Sequence, residues 1–424
     1  MAKILENFLT VYIGGIMKED LQQYARLLLQ EGVNLQQDQL LVINGDVENK
    51  DFLYIVVDEA HALGAKDVHI NWRSTVTAKS RLSHVKDDVL ANPAPWIGDM
   101  YHHILDSNAC ILSLISANPF AYEGVPSKKI ALASRSMGKL TKFYHEAIMD
   151  STLTWCVASV ATLTWADLLG YEGTEEEKIS RLWNTIFTLC RMKHVPEEES
   201  FSNHLDRLDN RTKTLNDLQL VSLHYTCPNG TDLTLQMPEN HLWLGGKEAS
   251  KKGIIFDANI PTEEVFSAPH HAGANGIVYS TKPLIYDGNR IEDFHITFKD
   301  GKVVDYDAKQ GREYLTNLIE TDENSCYLGE VALVDHYSPI SQSNMIFFET
   351  LYDENASCHL ALGAAYPTCL ANSDGLTQEE LRERGLNTSL AHTDFMIGHE
   401  KMNIMGTTKD GKEVPIMIEG RLQV

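Results

Sequence analysis

The sequence predicts an α/β protein in two parts: an amino-terminal α/β domain with a parallel sheet over residues 1–215, and a mixed α+β carboxy-terminal domain over residues 216–424. Three observations predict it. The chain opens on a strand, helix, strand pattern, the βαβ unit that implies parallel pairing and a right-handed crossover. From about residue 215 the pattern changes to β-branched, alternating runs cut by hairpin turns. Between the two lies VPEEESFSNHLDRLDNRTKTLND, charged and without a clear apolar stripe, where the boundary is placed.

In order along the chain, MKEDLQQYARLLLQEG carries Leu21, Tyr24, Ala25 and Leu28 at helical spacing and stops at Gly32, a natural position for the residue that ends a helix. QLLVING is a short aliphatic strand, DFLYIVVDEAHALGA a helix closing on Gly64, and DVHINW the second strand. Helical stretches are predicted around 97–117, 132–148, 151–169 and 175–193. The most apolar of these runs, Trp155 to Leu169, is interrupted by Ser, Thr and Asp, so it reads as a buried helix rather than a membrane span. In the second half LQLVSLHYT, TDLTLQM, GIVYST and FHITFKDGKVVDYDA are strands, with Pro-Asn-Gly, Asp-Gly and Asp-Gly-Lys as their turns.

Composition narrows the function. Against 36 Lys and Arg stand 59 Asp and Glu, a net charge of −23. Such a field repels phosphate backbones and anionic lipid heads, so no nucleic acid and no membrane surface is expected as a partner; cations, metals and positively charged small substrates are. The seven cysteines are spread singly, which fits reduced thiols. The opening MAKILENFLTVYIGG is too broken by Glu6, Asn7, Thr10 and the glycine pair for a secretory core, so a cytoplasmic protein is expected.

Four common catalytic motifs fail. The turn after QLLVI holds one glycine where a dinucleotide fingerprint needs three. Gly245-Gly246-Lys247 is followed by Glu248, which lacks the hydroxyl of a P-loop. His145-Glu146 meets Met149 where a zincin has its second histidine, and no G-x-S-x-G occurs.

What remains is a concentration of metal-ligand residue types between residues 261 and 399. In DENASCHLALGAAYP, Asp353-Glu354-Asn355 resembles a helix start, which would put His359, Gly363 and Tyr366 on one helix face before Pro367 ends the run. A satisfied core histidine is the plain alternative for His359. His392 and Asp394 have the i, i+2 spacing that puts two ligands on one face of a strand, and Phe395-Met396-Ile397 beside them argue for burial over a solvent-facing pair. Glu330 sits in the otherwise apolar LGEVALV, where an unpaired carboxylate costs several kcal/mol. Glu264, in PTEEVFSAPHH, is by itself better explained by a capping box or a surface turn. Taken together, Glu264, Glu330, Glu354, His359, His392 and Asp394 make a set rich in oxygen and free of sulfur. It suits Zn²⁺, Co²⁺ or Mn²⁺, with Mg²⁺ also admitted, in a hydrolytic site. More ligands than one tetrahedral ion needs point to two divalent ions bridged by a carboxylate, a device for activating water.

PTEEVFSAPH, GIVYSTKPLIYDG, LGEVALV, SPIS, LYDENASCHLALGAAYP and HTDFMIG, in this order, resemble the aminopeptidase T/aminopeptidase S family of dinuclear metallo-aminopeptidases. The resemblance implies metal ligands at Glu264, Glu330, His359, His392 and Asp394 and the catalytic tyrosine at Tyr366; Glu330 is the carboxylate best placed to bridge two ions and is expected to be catalytic, and Glu354 rests on its place in the DENASCH segment. It also implies a carboxy-terminal metal-binding catalytic domain, a homodimer whose sites face an enclosed cavity, and hydrolysis of amino-terminal residues from short peptides with a free amino terminus. The HHAGANG stretch departs from the charged residues expected there, which touches substrate preference or metal access, and His270 and His271 read as a turn. Another metal-dependent amide or ester hydrolase, and a non-catalytic peptide-binding metalloprotein, use the same ligands and stay open.

Overall fold

The computed structural model describes residues 18–193, 196, 199–286 and 289–424. The opening MAKILENFLTVYIGG, read above as non-secretory, and the Asp287-Gly288 turn lie outside the described residues. The chain forms two compact units, Met1–Ser202 with Lys247–Pro261, and Asn203–Gly246 with Thr262–Val424.

In the first unit the βαβ pattern folds as read. Leu40–Asp46 (β1) pairs in parallel with Asp67–Arg73 (β2) on one side and with Cys110–Ile115 (β3) on the other; Trp155–Ser159 (β4) and Asn259–Ile260 (β5) extend the sheet to the order β2-β1-β3-β4-β5. Leu41, Val42 and Ile43 are consecutive and all buried, the unbroken apolar run of a sheet covered on both faces. The Lys50–Ala62 helix buries Phe52, Leu53, Ile55 and Val56, and Tyr24 of the Lys18–Leu27 helix packs its ring 5.6 Å from that of Phe52 while donating its hydroxyl to the Ser159 carbonyl.

Two helix readings and the reading of the charged boundary segment need correction. The 97–117 helix ends at Asp106, and CILSLI becomes the central strand β3 after a turn in which Asn108 takes φ 51°. The 151–169 run splits into β4 and a short helix, Leu163–Leu168, whose start is set by the Thr162 hydroxyl accepting the Trp165 N–H. In both cases a short apolar run buried on all sides carries no period, so flanking turns and caps decide. The charged 195–217 segment, in its described part, is the helix Phe201–Leu218; Phe201, Leu205, Leu208 and Leu215 form the buried stripe that its many charges conceal.

The second unit holds two antiparallel sheets. The larger, of nine strands among the described residues, is built from hairpins such as Asn289–Lys299 with Lys302–Gln310. The smaller has four strands in sequence order: Glu264–Ser267 (β6), Leu328–Val334 (β7), His359–Gly363 (β8) and His392–Met396 (β9). Every residue of β7 and β8 is buried. His359–Gly363 is therefore a strand and not the helix that the i, i+4, i+7 spacing predicts: HLALG is too short and too fully buried to stand as a helix against two neighbours that offer backbone partners on both sides. Gly363 ends it at φ 112°, where a Cβ would lie 2.0 Å from the Ala391 carbonyl oxygen.

Candidate metal centre

Antiparallel pairing sets opposite residues on the same face of a sheet, and a period of two repeats that face along each strand. Glu264 stands opposite Val334, His359 opposite Ala332, Glu330 opposite Ala361, Ala361 opposite Asp394, and Gly363 opposite His392. Tracing these pairs puts Glu264, Glu330, His359, His392 and Asp394 on one face, one or two from each strand. Between Glu330 and Asp394 stands only the methyl group of Ala361, which leaves room above the sheet for an ion.

The five side chains converge in two overlapping groups, Glu264–Glu330–His359 and Glu330–His392–Asp394, with the ligand atoms of each within 4.8 Å of one another. Glu330 belongs to both. Its Oε1 lies 3.4 Å from His359 Nε2 and its Oε2 3.4 Å from His392 Nε2, so each oxygen serves one imidazole. Glu264 Oε2 is 3.1 Å from His359 Nε2, and Asp394 Oδ1 is 3.6 Å from His392 Nε2. Among the described residues neither of these oxygens has a hydrogen-bond partner, although both are buried. Both histidines donate Nδ1–H to backbone carbonyls, His359 to Ser357 at 3.0 Å and His392 to Ala364 at 2.7 Å. With Nδ1–H engaged in this way each Nε2 faces carboxylates, an arrangement that calls for positive charge at that nitrogen, a proton or a metal cation. The donor set and its orphaned oxygens thus fit divalent metal.

Electrostatics make the same demand for positive charge. Burial alone would lower His392, but Asp394 and Glu330 outweigh it and push it up to about 11; His359 is raised likewise, by Glu264 and Glu330 against its burial. Glu330 would be raised by burial, yet the two imidazoles hold it down at about 2. Burial pushes Glu264 up despite His359.

Glu354 and Tyr366 border this cluster. Glu354, half-buried at the end of the Thr350–Glu354 helix, lies outside both groups; burial and then the charges of Glu264 and Asp394 raise its carboxyl well above the usual range. Tyr366 follows the turn after Gly363, with its ring 5.1 Å from that of His392 and 6.0 Å from that of Phe266, and its phenol is pushed up by burial and by Glu330. The sequence reading missed the supports. His204 Nε2 lies 3.3 Å from Glu263 Oε2 with both side chains 3% exposed, and Asn355 Oδ1 accepts the Glu263 N–H at 2.6 Å, tying the residue before one ligand to the residue after Glu354. The available signal was a second acid beside Glu264, read there as surface. His270 and His271 sit in the predicted turn and stack at 5.0 Å.

Glu349 and Asp353, just upstream of Glu354, are pushed up by burial to about 7 and about 6. The folded chain keeps protons there that the unfolded chain releases at lower pH, so stability falls as pH rises past the ordinary carboxylate value and levels off above the raised one. Glu349→Gln removes that loss at one group, and its stability relative to the unsubstituted chain is expected to rise between about pH 5 and about pH 8. Urea unfolding at both pH values measures this; a difference that does not change with pH contradicts it.

Comparison with known proteins adds a family and relatives. Residues 17–422 match the family described as thermophilic metalloprotease (M29). The chain is 40% identical over 402 residues to aminopeptidase AmpS of Bacillus subtilis, covering 95% of this chain and 98% of that protein. It is 40% identical over 403 residues to aminopeptidase 2 of Geobacillus stearothermophilus, covering 95% and 97%. The solved structure of wild-type AmpT from Thermus thermophilus superposes with a TM-score of 0.89 at 33% identity, covering 96% of this chain and all of that one.

Proposed function

The chain belongs to the thermophilic metalloprotease (M29) family, and on that premise we propose that it is a metal-dependent aminopeptidase that removes amino-terminal residues from short peptides with a free amino terminus. The observation that carries the site is Glu330, whose two oxygens face the Nε2 atoms of two histidines in two overlapping ligand groups. Glu264, Glu330 and His359 would hold one divalent ion, and Glu330, His392 and Asp394 a second. Three carboxylates and two imidazoles without sulfur favour Zn²⁺, Co²⁺ or Mn²⁺. When bound, such a pair acidifies water and polarises a peptide carbonyl.

The chain's own residues do the rest. Glu330, which faces both imidazoles and belongs to both ligand groups, is the residue that would bridge. Glu354 lies outside both ligand groups at the edge of the cluster, and we assign it the proton delivered to the leaving amine; the ligand role expected from its segment is the alternative. Tyr366 stays protonated and donates its hydroxyl to the oxyanion that forms at the carbonyl. All seven cysteines are free and buried, which supports the cytoplasmic reading. The homodimer rests on the family resemblance of the quoted segments, and sedimentation equilibrium checks it.

The test is a pair of substrates that differ only at the amino terminus. A dipeptide with a free amine is expected to be cleaved, and its N-acetylated form to be cleaved at least about 100-fold more slowly, since one lost charge-assisted contact is worth that much. Equal rates would leave a general amidase.

A further inference from the structure

Asn387 is 1% exposed, belongs to neither ligand group, and makes contacts that end at the site. Its Nδ2 donates to the Gly363 carbonyl at 2.6 Å and to the Asn324 carbonyl at 2.9 Å, its Oδ1 accepts from Arg382 Nη1 at 2.7 Å, and its own carbonyl accepts the Ala365 N–H at 2.9 Å. Side chain and backbone of one residue thus grip both ends of the Gly363–Ala365 turn. The middle of that turn is Ala364, whose N–H donates to the Ala391 carbonyl at 2.7 Å and whose carbonyl takes the Nδ1–H of His392 at 2.7 Å. Tyr366 is the next residue after the turn. Arg382 is fixed in turn, with its guanidinium 5.2 Å from the Tyr327 ring; the Tyr327 carbonyl accepts the Gly363 N–H at 2.8 Å.

We propose that Asn387, braced by Arg382, is a positioning residue that aims His392 and Tyr366 together. At Gly363, with its positive φ, the chain leaves the β8–β9 ladder, so the Ala364 carbonyl that orients His392 is only as fixed as the groups that hold the turn. Among the described residues no comparable tie runs from Asn387 to His359, whose Nδ1–H goes to the Ser357 carbonyl. The clamp therefore serves the His392–Asp394 ion and not the Glu264–His359 ion. This rests on the two-ion reading above.

The test is calorimetric titration of Zn²⁺ into metal-free protein, with kcat and KM measured beside it. Two equivalents of Zn²⁺ bound by the unsubstituted chain are the premise; a stoichiometry of one or none defeats the two-ion reading and with it the one-ion selectivity of the clamp. With two equivalents bound, Asn387→Ala is expected to weaken one of the two binding events about 10–100-fold and leave the other unchanged, with kcat falling and KM nearly constant. Arg382→Ala is expected to move the same event by less, and Arg382→Lys, which keeps a donor for Asn387 Oδ1, to recover most of it. Both events at unsubstituted affinity in Asn387→Ala, or equal weakening of both, overturns the proposal. If Asn387→Ala does not fold, the arginine pair decides: no selective effect of Arg382→Ala, or no recovery with lysine, overturns it as well.

Discussion

Glu330→Gln is expected to lower kcat by roughly 10³-fold or more and to reduce bound metal below two ions per chain. The substitution keeps the shape of the side chain and one carbonyl oxygen but removes the charge. In the native chain each carboxylate oxygen faces a different imidazole, at 3.4 Å in both cases, so a single residue completes both ligand groups. Glutamine offers a weak acceptor to one side and an N–H, which cannot ligate, to the other. The remaining charges are then unbalanced: Glu264 and Asp394 still carry orphaned oxygens, and each imidazole has lost a partner. Without metal, breaking such a buried pair costs about 3–5 kcal/mol, so a drop in the melting temperature of the metal-free variant accompanies the loss of activity. Acid sensitivity changes with it. A carboxyl held at about 2 contributes stability that is full above its unfolded value of 4.5 and is lost as pH falls toward 2; the variant lacks that segment of the curve. Metal content by mass spectrometry, turnover and acid unfolding are the three readouts. A variant that keeps two ions and near-normal turnover contradicts the bridging role.

Tyr366→Phe is expected to lower kcat about 10²–10³-fold while leaving metal content and KM close to those of the unsubstituted chain. The ring contributes packing against Phe266 and beside His392, and phenylalanine keeps it. Only the hydroxyl goes. Its proton is held by burial and by the neighbouring carboxylates, so it is present as a donor throughout the working pH range and not as a titrating base. A donor aimed at developing charge acts in the transition state alone, which is why the loss falls on kcat. Unaltered turnover with full metal would remove Tyr366 from the chemistry. A loss confined to KM would make it a binding residue.

The candidate site is more legible in the sequence than the strands that carry it. Glu330 stood out because an acid in LGEVALV has no cheap place in a buried strand, and His392 and Asp394 because a spacing of two survives in any strand. His359 was recognised on the wrong element: HLALG fits one turn of helix as well as one strand, and only β7 and β9, supplied by residues about 30 positions away on each side, settle the matter. The true face rule is His359, Ala361, Gly363, not His359, Gly363, Tyr366; Tyr366 reaches the site because the chain turns at Gly363. The central strands β3 and β4 were hidden in the same way, as apolar runs with no period. Asn355 and Asn387 were not legible at all. Their contacts are backbone groups of remote segments, Glu263 N–H for one and the Gly363 carbonyl for the other, and no local pattern marks an asparagine for such work. The acidic surplus of the composition has a local part too, since three carboxylates of this one sheet face are drawn together around room for cations.

The most direct test of the central claim is to strip the protein with a chelator, confirm by mass spectrometry that it is metal-free, and titrate Zn²⁺, Co²⁺ or Mn²⁺ back while following cleavage of an aminoacyl arylamide. The metal-free chain is expected to be inactive, and activity to return and saturate at two equivalents of ion per chain. Full activity in the verified metal-free chain, or no recovery with any of the three ions, would contradict a dinuclear aminopeptidase built on Glu330.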